Sequence, residues 1–385
     1  MSRALAILGS TGSIGRNTLD VVDRLGGAFR VAALAAGSNL AVLAPQIEKY
    51  RPDVVSVGSS RDAAKIRALA RRCGAKVVSG PEGAVEAARA GGVDTVVSAI
   101  TGICGFAPTL AAVRAGRRVA LANKESMVVG GALLKAEAAR SGARIIPVDS
   151  EHSGVFQCLA GARRQQVRRV ILTASGGPFL RTPLAEMRRK TLDEALRHPR
   201  WVMGRKVTVD SATMMNKGLE LVEARWLFDL DPSELEVLIH PQSAVHALVE
   251  MNDGSLLAQL GPADMRLPIQ YALTWPERRD SGLPRLDLEA LGRLEFLAVD
   301  ERRYPLFGLA RRVLAAGNSF PVALNAANEV AVAAFLEGRI LFPDLAAVVA
   351  AVVESHRPRP ADSVEAIRDI DTEARRDARR ALPQR

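Results

Sequence analysis

The chain of 385 residues is longer than a typical single domain, and a hydrophobic content of 48% is enough for more than one core. The net charge of +10 is accompanied by an aromatic content of only 4%, so nucleic-acid binding is not expected. Solvated helix faces and an affinity for phosphorylated small molecules explain the charge more economically.

No apolar run reaches about 18 residues, so we expect no membrane contact. The amino terminus has no long apolar segment of the kind found in signal peptides. The three cysteines match no zinc-ligand spacing and are expected to be reduced thiols. These features favour a cytoplasmic location.

Residues 4 to 148 alternate short apolar runs with alanine-rich helical stretches. This alternation is typical of βαβ units, in which parallel strands form a sheet covered by helices. We therefore predict an α/β, doubly wound (Rossmann-like) nucleotide-binding domain over residues 1–148. Its predicted strands are Ala4–Leu8, Arg30–Ala35, Val54–Val57, Lys76–Val78, Thr95–Ser98, Val119–Ala122 and Arg144–Val148.

The composition changes after residue 148, where Gly, Ser, Pro, His and Met become frequent. We predict an α+β catalytic domain over residues 149–274 and a surface linker over the proline-bearing residues 275–300. A C-terminal α-helical bundle is predicted over residues 301–385. The predicted strands are Val167–Thr173, Glu236–Ile239, Ala244–Glu250 and Ser255–Gln259, and the predicted helices cover about 304–316, 321–337, 343–355 and 363–381.

A glycine loop, GSTGSIG at Gly9–Gly15, follows the first predicted strand and opens a helix. Glycines permit the tight turn, and the free N–H groups of a helix start can receive a pyrophosphate. A purely structural turn is the alternative. The second strand ends without the acidic residue that holds the ribose of NAD, which favours NADP, although a basic partner for its 2′-phosphate is missing there too.

An acidic stretch, Asp149-Ser150-Glu151, follows the last predicted strand of the first domain. In an extended chain Asp149 and Glu151 would share one face, with Ser150 on the other. Two carboxylates at the carboxyl end of a strand can hold a hard divalent cation. A solvated acidic turn is the alternative.

Three further polar stretches also suggest a ligand site. Residues 121–126 (LANKES) would lie at the carboxyl edge of the sheet, where ligands bind. Residues 173–178 (TASGGP) are expected to form a glycine loop able to expose N–H groups to anions, or an ordinary turn. Residues 197–206 (RHPRWVMGRK) are expected to join a helix to a strand as a lid that excludes water, or as a loop pinned by its tryptophan.

The segment 210–220 (DSATMMNKGLE) has the greatest variety of polar side chains: a hydroxyl, an amide, an ammonium and a carboxylate. Ser211, Asn216 and Lys217 are donors suited to a phosphate, and Glu220 is suited to a divalent cation. Asn216 and Glu220 are four residues apart and would share one face of a helix.

Eight motifs occur in this order: GSTGSIG, LANKES, PVDSEHS, ASGGPF, HPRWVMGRK, TVDSATMMNKGLE, IHPQSAVHALVE and LNAANEVAVAAF. With them the chain resembles the 1-deoxy-D-xylulose 5-phosphate reductoisomerase family over nearly its whole length. The resemblance implies a homodimer that uses NADPH and Mg²⁺ or Mn²⁺. It also implies a retro-aldol/aldol rearrangement of the phosphorylated ketose 1-deoxy-D-xylulose 5-phosphate, followed by reduction to 2-C-methyl-D-erythritol 4-phosphate in isoprenoid precursor biosynthesis.

The resemblance also implies roles for residues at the matching positions. The implied cofactor-binding residues are Thr11, Gly12, Ser13, Ile14, Gly37, Ser38, Asn39, Asn123, Glu125 and Gly204. The implied metal ligands are Asp149, Glu151 and Glu220. The implied substrate-binding residues are Lys124, Ser150, Glu151, Ser175, His198, Ser211, Asn216, Lys217 and Glu220, and the implied catalytic residues are Lys124, Glu151, His198 and Trp201.

One residue departs from the family pattern. The family often has a basic residue after the glycine of the second strand, and this chain has Ser38. Two alternatives remain open at this point. The first is another NADP-dependent, metal-assisted oxidoreductase acting on a different phosphorylated, sugar-like substrate, and the second is a non-catalytic nucleotide sensor.

Overall fold

The structure, a computed structural model, describes residues 2–384. Its contacts divide the chain into two compact units. Unit 1 comprises Met1–Ser126, Ala132–Ser153 and Asp264–Leu283, and unit 2 comprises Met127–Gly131, Gly154–Ala263 and Pro284–Arg385. None of the helices within residues 2–384 combines the length and the apolar character that a membrane span requires.

Unit 1 contains a seven-stranded parallel sheet in the order β4-β3-β2-β1-β5-β6-β7. Strand β1 is buried because helices cover both faces of the sheet, which explains its unbroken apolar sequence. The predicted doubly wound fold is confirmed. The elements are β1 (Arg3–Leu8), α1 (Ser13–Arg24), β2 (Phe29–Ala35), α2 (Leu40–Tyr50), β3 (Val54–Val57), α3 (Ser60–Arg72), β4 (Lys76–Ser79), α4 (Gly80–Ala88), β5 (Thr95–Ser98), α5 (Phe106–Arg114), β6 (Arg118–Leu121), α6 (Lys124–Ser141) and β7 (Arg144–Pro147).

Strand β1 lies between β2 and β5. Strands β2, β3 and β4 are added on one side of β1, and β5, β6 and β7 are then added on its other side. In open α/β sheets such a switch point leaves a crevice at the carboxyl ends of the strands, and ligands bind there. The glycine loop directly follows β1, so the fold places it at this crevice.

The segment Asp264–Leu283 belongs to unit 1, although the predicted boundaries put it at the end of the second domain and the start of the linker. Its helix α11 (Arg266–Thr274) packs against α1, β6 and β7. Ile269, Ala272 and Leu273 are buried there, so an apolar helix face explains the association.

Unit 2 contains a five-stranded mixed sheet in the order β11-β10-β8-β9-β12, which confirms the predicted α+β character. The last strand pairs with β9 and was not predicted, because its two residues lie in the expected linker. The elements before the final helices are α7 (Ser150–Cys158, which begins in unit 1), β8 (Val167–Ala174), α8 (Leu192–Ala195), α9 (Arg205–Ala212), α10 (Met215–Phe228), β9 (Leu235–Ile239), β10 (Val245–Met251), β11 (Leu256–Leu260), α12 (Leu288–Leu291) and β12 (Leu297–Ala298).

Four helices follow, as the sequence predicts: α13 (Pro305–Ala316), α14 (Phe320–Leu336), α15 (Phe342–Ser355) and α16 (Val364–Ala381). Helices α13, α14 and α15 each have a proline in the first turn, where its missing N–H costs nothing. Residues such as Phe307, Leu324 and Val349 share one core with the inner face of the second sheet and with α10. The helical bundle is thus continuous with the core that supports α10.

Candidate active site

The glycine loop is shaped by close backbone contacts. Gly9 has a φ of +91°, and a Cβ there would lie 2.5 Å from the carbonyl oxygen of Ala99, which follows β5. A Cβ on Gly15 would lie 2.3 Å from the carbonyl oxygen of Gly9. Gly12 is the N-cap of α1, and no side chain within residues 2–384 makes a capping hydrogen bond there. An anionic diphosphate fits this position.

The turn after β2 is exposed at Gly37, Ser38 and Asn39. Asn39 caps α2 by accepting a hydrogen bond from the N–H of Val42 at 3.3 Å. No carboxylate follows β2 in this turn, so nothing there repels a 2′-phosphate.

Asn123 caps α6 at the carboxyl edge of the sheet, as the polar stretch predicts. Its Oδ1 accepts from the N–H of Ser126 at 3.0 Å, and its Nδ2 donates to the carbonyl oxygen of Ile100 at 2.7 Å. Its Nδ2 also lies 2.9 Å from Glu125 Oε2, which accepts a hydrogen bond. Asn123 and Glu125 are both buried at this edge of the sheet.

The ammonium of Lys124 forms an ion pair and a hydrogen bond with Asp149. These residues follow β6 and β7, which are adjacent parallel strands, so the fold brings them to the same edge of the sheet. Both side chains are largely withdrawn from solvent, which strengthens the attraction between them.

The prediction that Asp149 and Glu151 share a face of an extended chain is wrong. Strand β7 ends at Pro147 and α7 begins at Ser150. The carbonyl oxygen of Asp149 accepts the first helical hydrogen bond, from Ser153, and its carboxylate accepts from the N–H of Ser150 at 3.1 Å. The hydroxyl of Ser150 donates to Glu151 instead of facing away from it. Both carboxylates thus lie at a helix amino terminus, which favours negative charge.

In unit 2, Asn216 and Glu220 lie one turn apart on α10, as predicted, and Lys217 lies on the same helix. Asn216 donates to one oxygen of the Glu220 carboxylate, and Lys217 Nζ lies 2.5 Å from the other. Glu220 is 0% exposed, so these two donors hold a fully buried negative charge.

The loop after β8 lies close to the end of α9. A Cβ on Gly177 would lie 2.6 Å from the carbonyl oxygen of Ser211, so the glycine is needed for this approach. The hydroxyl of Ser175 accepts from the N–H of Gly177 at 3.1 Å. The structure thereby brings together two of the predicted phosphate-binding stretches.

His198 connects this loop to the predicted lid. Its Nδ1 accepts from the N–H of Trp201 at 2.9 Å and of Arg200 at 3.2 Å, so the ring proton is assigned to Nε2. Nε2 lies 2.9 Å from the hydroxyl oxygen of Ser175 and donates to it. Beyond Trp201 the loop projects into solvent, since Val202 is 97% exposed. It then joins α9 at Gly204, so the prediction that a strand follows is wrong.

Three further residues in unit 2 support these loops and were not recognisable from the sequence alone. Tyr304 donates to the carbonyl oxygen of Gly176 at 2.7 Å, and burial raises the pKa of its phenol to about 12, so it remains a donor. The ring of His246 lies 6.2 Å from that of Trp201. Asn328 donates to Asp210 at 2.8 Å. His246 and Asn328 lie in two of the eight motifs, which was their only sequence signal.

The glycine loop at the switch point of a doubly wound sheet defines a Rossmann-like dinucleotide-binding protein, here with a second unit that holds buried charged residues. Family models for 1-deoxy-D-xylulose 5-phosphate reductoisomerase match residues 5–131 and, for its C-terminal domain, residues 145–228. A DXP reductoisomerase C-terminal domain model matches residues 260–377. The chain therefore belongs to the 1-deoxy-D-xylulose 5-phosphate reductoisomerase family.

Individual relatives agree with this assignment. The chain is 49% identical to the 1-deoxy-D-xylulose 5-phosphate reductoisomerase of Chlorobium chlorochromatii over 99% of this chain and 100% of the relative. It is 51% identical to that of Heliobacterium modesticaldum over 98% of this chain and 96% of the relative. Among solved structures it is similar to the Zymomonas mobilis enzyme in complex with NADPH, with a TM-score of 0.93 and 41% identity over 100% of both chains.

A further solved relative is DOX-P reductoisomerase in complex with NADPH, fosmidomycin and magnesium. The TM-score is 0.95 at 40% identity, with 99% of this chain and 98% of that chain covered.

Proposed function

We propose that this chain isomerises and reduces 1-deoxy-D-xylulose 5-phosphate to 2-C-methyl-D-erythritol 4-phosphate, with NADPH and Mg²⁺ or Mn²⁺. The family match, by models over most of the chain and by a relative over 99% of it, is the observation that carries the proposal. The paired charges at Lys124 and Asp149, and at Lys217 and Glu220, support catalysis over nucleotide sensing, because sensing a nucleotide requires neither.

For the cofactor, we assign the diphosphate to the loop that contains the backbone of Thr11, Gly12, Ser13 and Ile14. The uncapped start of α1 and the glycine contacts support this assignment. The adenosine ribose and its 2′-phosphate are assigned to Gly37, Ser38 and Asn39. Asn123, Glu125 and Gly204 complete the cofactor-binding set.

For the metal ion, we assign Asp149, Glu151 and Glu220 as ligands. Their carboxylate oxygens are the hard donors that Mg²⁺ and Mn²⁺ prefer. When bound, the ion supplies Lewis acidity toward the ketone and a neighbouring hydroxyl of the substrate. Lys124 and Lys217 neutralise two of these carboxylates in the structure.

For the substrate, we assign Ser175, Ser211, Asn216 and Lys217 to the phosphate end. The close packing of Gly177 on Ser211 supports a shared anion site. Lys124, Ser150, Glu151, His198 and Glu220 are assigned to the remainder. His198 donates from Nε2 and holds Trp201 through Nδ1, so one side chain couples the substrate to the loop that would close over it.

Turnover tests the proposal. We expect the protein to oxidise NADPH when supplied with 1-deoxy-D-xylulose 5-phosphate and Mg²⁺, and a chelator to stop the reaction. NADH should support slower turnover, because no carboxylate after β2 is available to hold an unphosphorylated ribose. Loss of nicotinamide absorbance measures both rates. Equal turnover with the chelator present would contradict the metal dependence.

We also propose a cytoplasmic location and a homodimer. The three cysteines are free thiols, which suits a reducing compartment. Strand β11 is an edge strand of the second sheet, and its Leu256 and Leu257 are 52% and 41% exposed. An exposed apolar edge strand is a surface that a second copy can cover.

We expect Leu257→Lys to shift the protein from a two-chain to a one-chain particle, because the charge would be buried against the partner. Sedimentation velocity distinguishes the two states. Leu288→Lys is the control, since Leu288 is 60% exposed but lies on α12, away from the strand edge. If both variants remain two-chain particles, β11 is not part of the dimer interface.

A further inference from the structure

Three arginines begin three strands of the sheet in unit 1. Arg3, Arg118 and Arg144 are the first residues of β1, β6 and β7. These strands, with β5 between β1 and β6, are parallel neighbours, so the three side chains start from the same edge of the sheet. Arg118 and Arg144 are register partners. We name this set the amino-edge arginine cluster.

The cluster is remote from the nucleotide loop. The loop follows the carboxyl end of β1, whereas Arg3 begins that strand. A six-residue strand extends about 20 Å at roughly 3.3 Å per residue. The cluster therefore belongs to no part of the site described above.

A cleft of about 550 Å³ opens at this edge of the sheet. The three arginines line it together with Ser2, Asp94 and Thr95. Asp94 supplies a carboxylate, but that group accepts a hydrogen bond from the N–H of Ala4 at 2.8 Å. The cleft thus has three positive charges against one negative charge.

Aromatic rings hold the guanidinium groups. Arg3 lies 4.7 Å from the centre of the Phe29 ring, and Arg118 and Arg144 lie 5.6 Å and 5.3 Å from that of Trp275. Arg118 also donates to the carbonyl oxygen of Trp275 at 2.9 Å. A guanidinium stacked on a ring keeps its N–H donors in its own plane, where they can bind an anion.

Asp94 is the one carboxylate among the residues that line the cleft. Within residues 2–384, none of the three guanidinium groups forms an ion pair with a carboxylate. Burial, and then the charges of Arg3 and Arg144, lower the pKa of Arg118 from its usual value. Like charges held together at a cleft raise the local concentration of anions.

We propose that the amino-edge arginine cluster binds a small polyanion that carries a diphosphate group. Planar guanidinium groups match phosphate oxygens in pairs, and two linked phosphates can engage arginines on neighbouring strands, which lie about 4.8 Å apart. The cleft volume lies within the range of small-molecule sites. Because Arg118 also contacts Trp275, the bound anion would connect the sheet edge to the segment Asp264–Leu283.

Inorganic pyrophosphate is the probe, titrated calorimetrically into the full chain without NADPH, which itself carries a diphosphate group and would compete for the cluster. Binding of pyrophosphate to the glycine loop is unchanged in the arginine variants, so the equivalent that these variants lose is the one bound at the cluster. We expect one equivalent to bind to this site, and orthophosphate to bind at least about tenfold more weakly because it engages fewer arginines. The double variant Arg3→Gln/Arg144→Gln should lose this equivalent, with affinity about a hundredfold lower at roughly tenfold per arginine.

Arg312→Gln is the matched control, because it removes the same charge from an exposed position on α13. It should bind pyrophosphate as the unchanged protein does. The single variant Arg144→Gln, at an exposed position, should weaken binding about tenfold and keeps the test valid if the double variant fails to fold. Equal binding by Arg144→Gln and Arg312→Gln, or no binding by the unchanged protein, would overturn the proposal and leave these arginines a structural role at the sheet edge.

Discussion

Glu220→Gln is expected to lower kcat by about a thousandfold while the affinity for NADPH stays within about twofold. Glu220 is fully buried on α10, and its two oxygens are bound by Asn216 and Lys217. The amide keeps the shape of the side chain but removes the charge that a divalent cation needs. It also leaves Lys217 without its buried counter-charge. Catalysis should therefore fail while the glycine loop in unit 1 remains intact.

Steady-state turnover gives kcat, and the change in nicotinamide fluorescence on binding gives the NADPH affinity. Glu354→Gln is the control, because Glu354 is exposed on α15. Circular dichroism at the assay temperature separates lost chemistry from unfolding. If kcat is unchanged, or NADPH binding falls together with kcat in a folded protein, Glu220 is not the metal ligand.

Gly9→Ala is expected to weaken NADPH binding by more than about a hundredfold and to lower the thermal stability. Its φ of +91° is strained for any residue with a Cβ, and that Cβ would lie 2.5 Å from the carbonyl oxygen of Ala99. The neighbour is backbone at the end of β5, so it cannot move aside as a side chain could. Relief of the clash would separate β1 from β5 at the switch point, where the cofactor is expected to bind.

Gly91→Ala is the matched control, since no atom lies within 4 Å of a Cβ at that position and its φ is not in the left-handed region. Fluorescence titration with NADPH and a thermal melt should leave the control close to the unchanged protein. Gly9→Ala with full NADPH affinity would show that this turn does not form the cofactor site.

Much of the fold could be predicted from sequence because its signals are local. Strands such as Val54–Val57 and Thr95–Ser98 are short apolar runs between helical stretches, and the structure has the same bounds. The four final helices were recognisable from amphipathic spacing, and α13, α14 and α15 also have a proline in the first turn. Ends of elements differ by one or two residues, since frayed termini carry little signal.

The acidic stretch shows where local interpretation failed. An apolar strand before Asp149 suggested that the chain stays extended, but a helix begins directly after Asp149. Its carboxylate accepts a hydrogen bond from the N–H of Ser150, and its carbonyl oxygen accepts one from the N–H of Ser153. Asp is a preferred residue at that position, so the capping preference outweighed the strand pattern. The candidate ligands could be named from sequence, but their geometry could not.

Contacts between distant parts of the chain had no local signal. Ser175 meets His198 across 23 residues, and Tyr304 reaches Gly176 across 128. Helix α11 packs in unit 1, although the chain leads into it from the second sheet. Such pairs depend on tertiary packing. The sequence motifs indicated that some of these residues matter, but not which residues contact one another.

The identity of the reaction product tests the central claim most directly. After incubation with 1-deoxy-D-xylulose 5-phosphate, NADPH and Mg²⁺, nuclear magnetic resonance should show the branched carbon skeleton of 2-C-methyl-D-erythritol 4-phosphate. One NADPH should be consumed for each molecule formed. An unrearranged carbon chain, or NADPH oxidation by a simple aldehyde but none with this substrate, would contradict the proposed function.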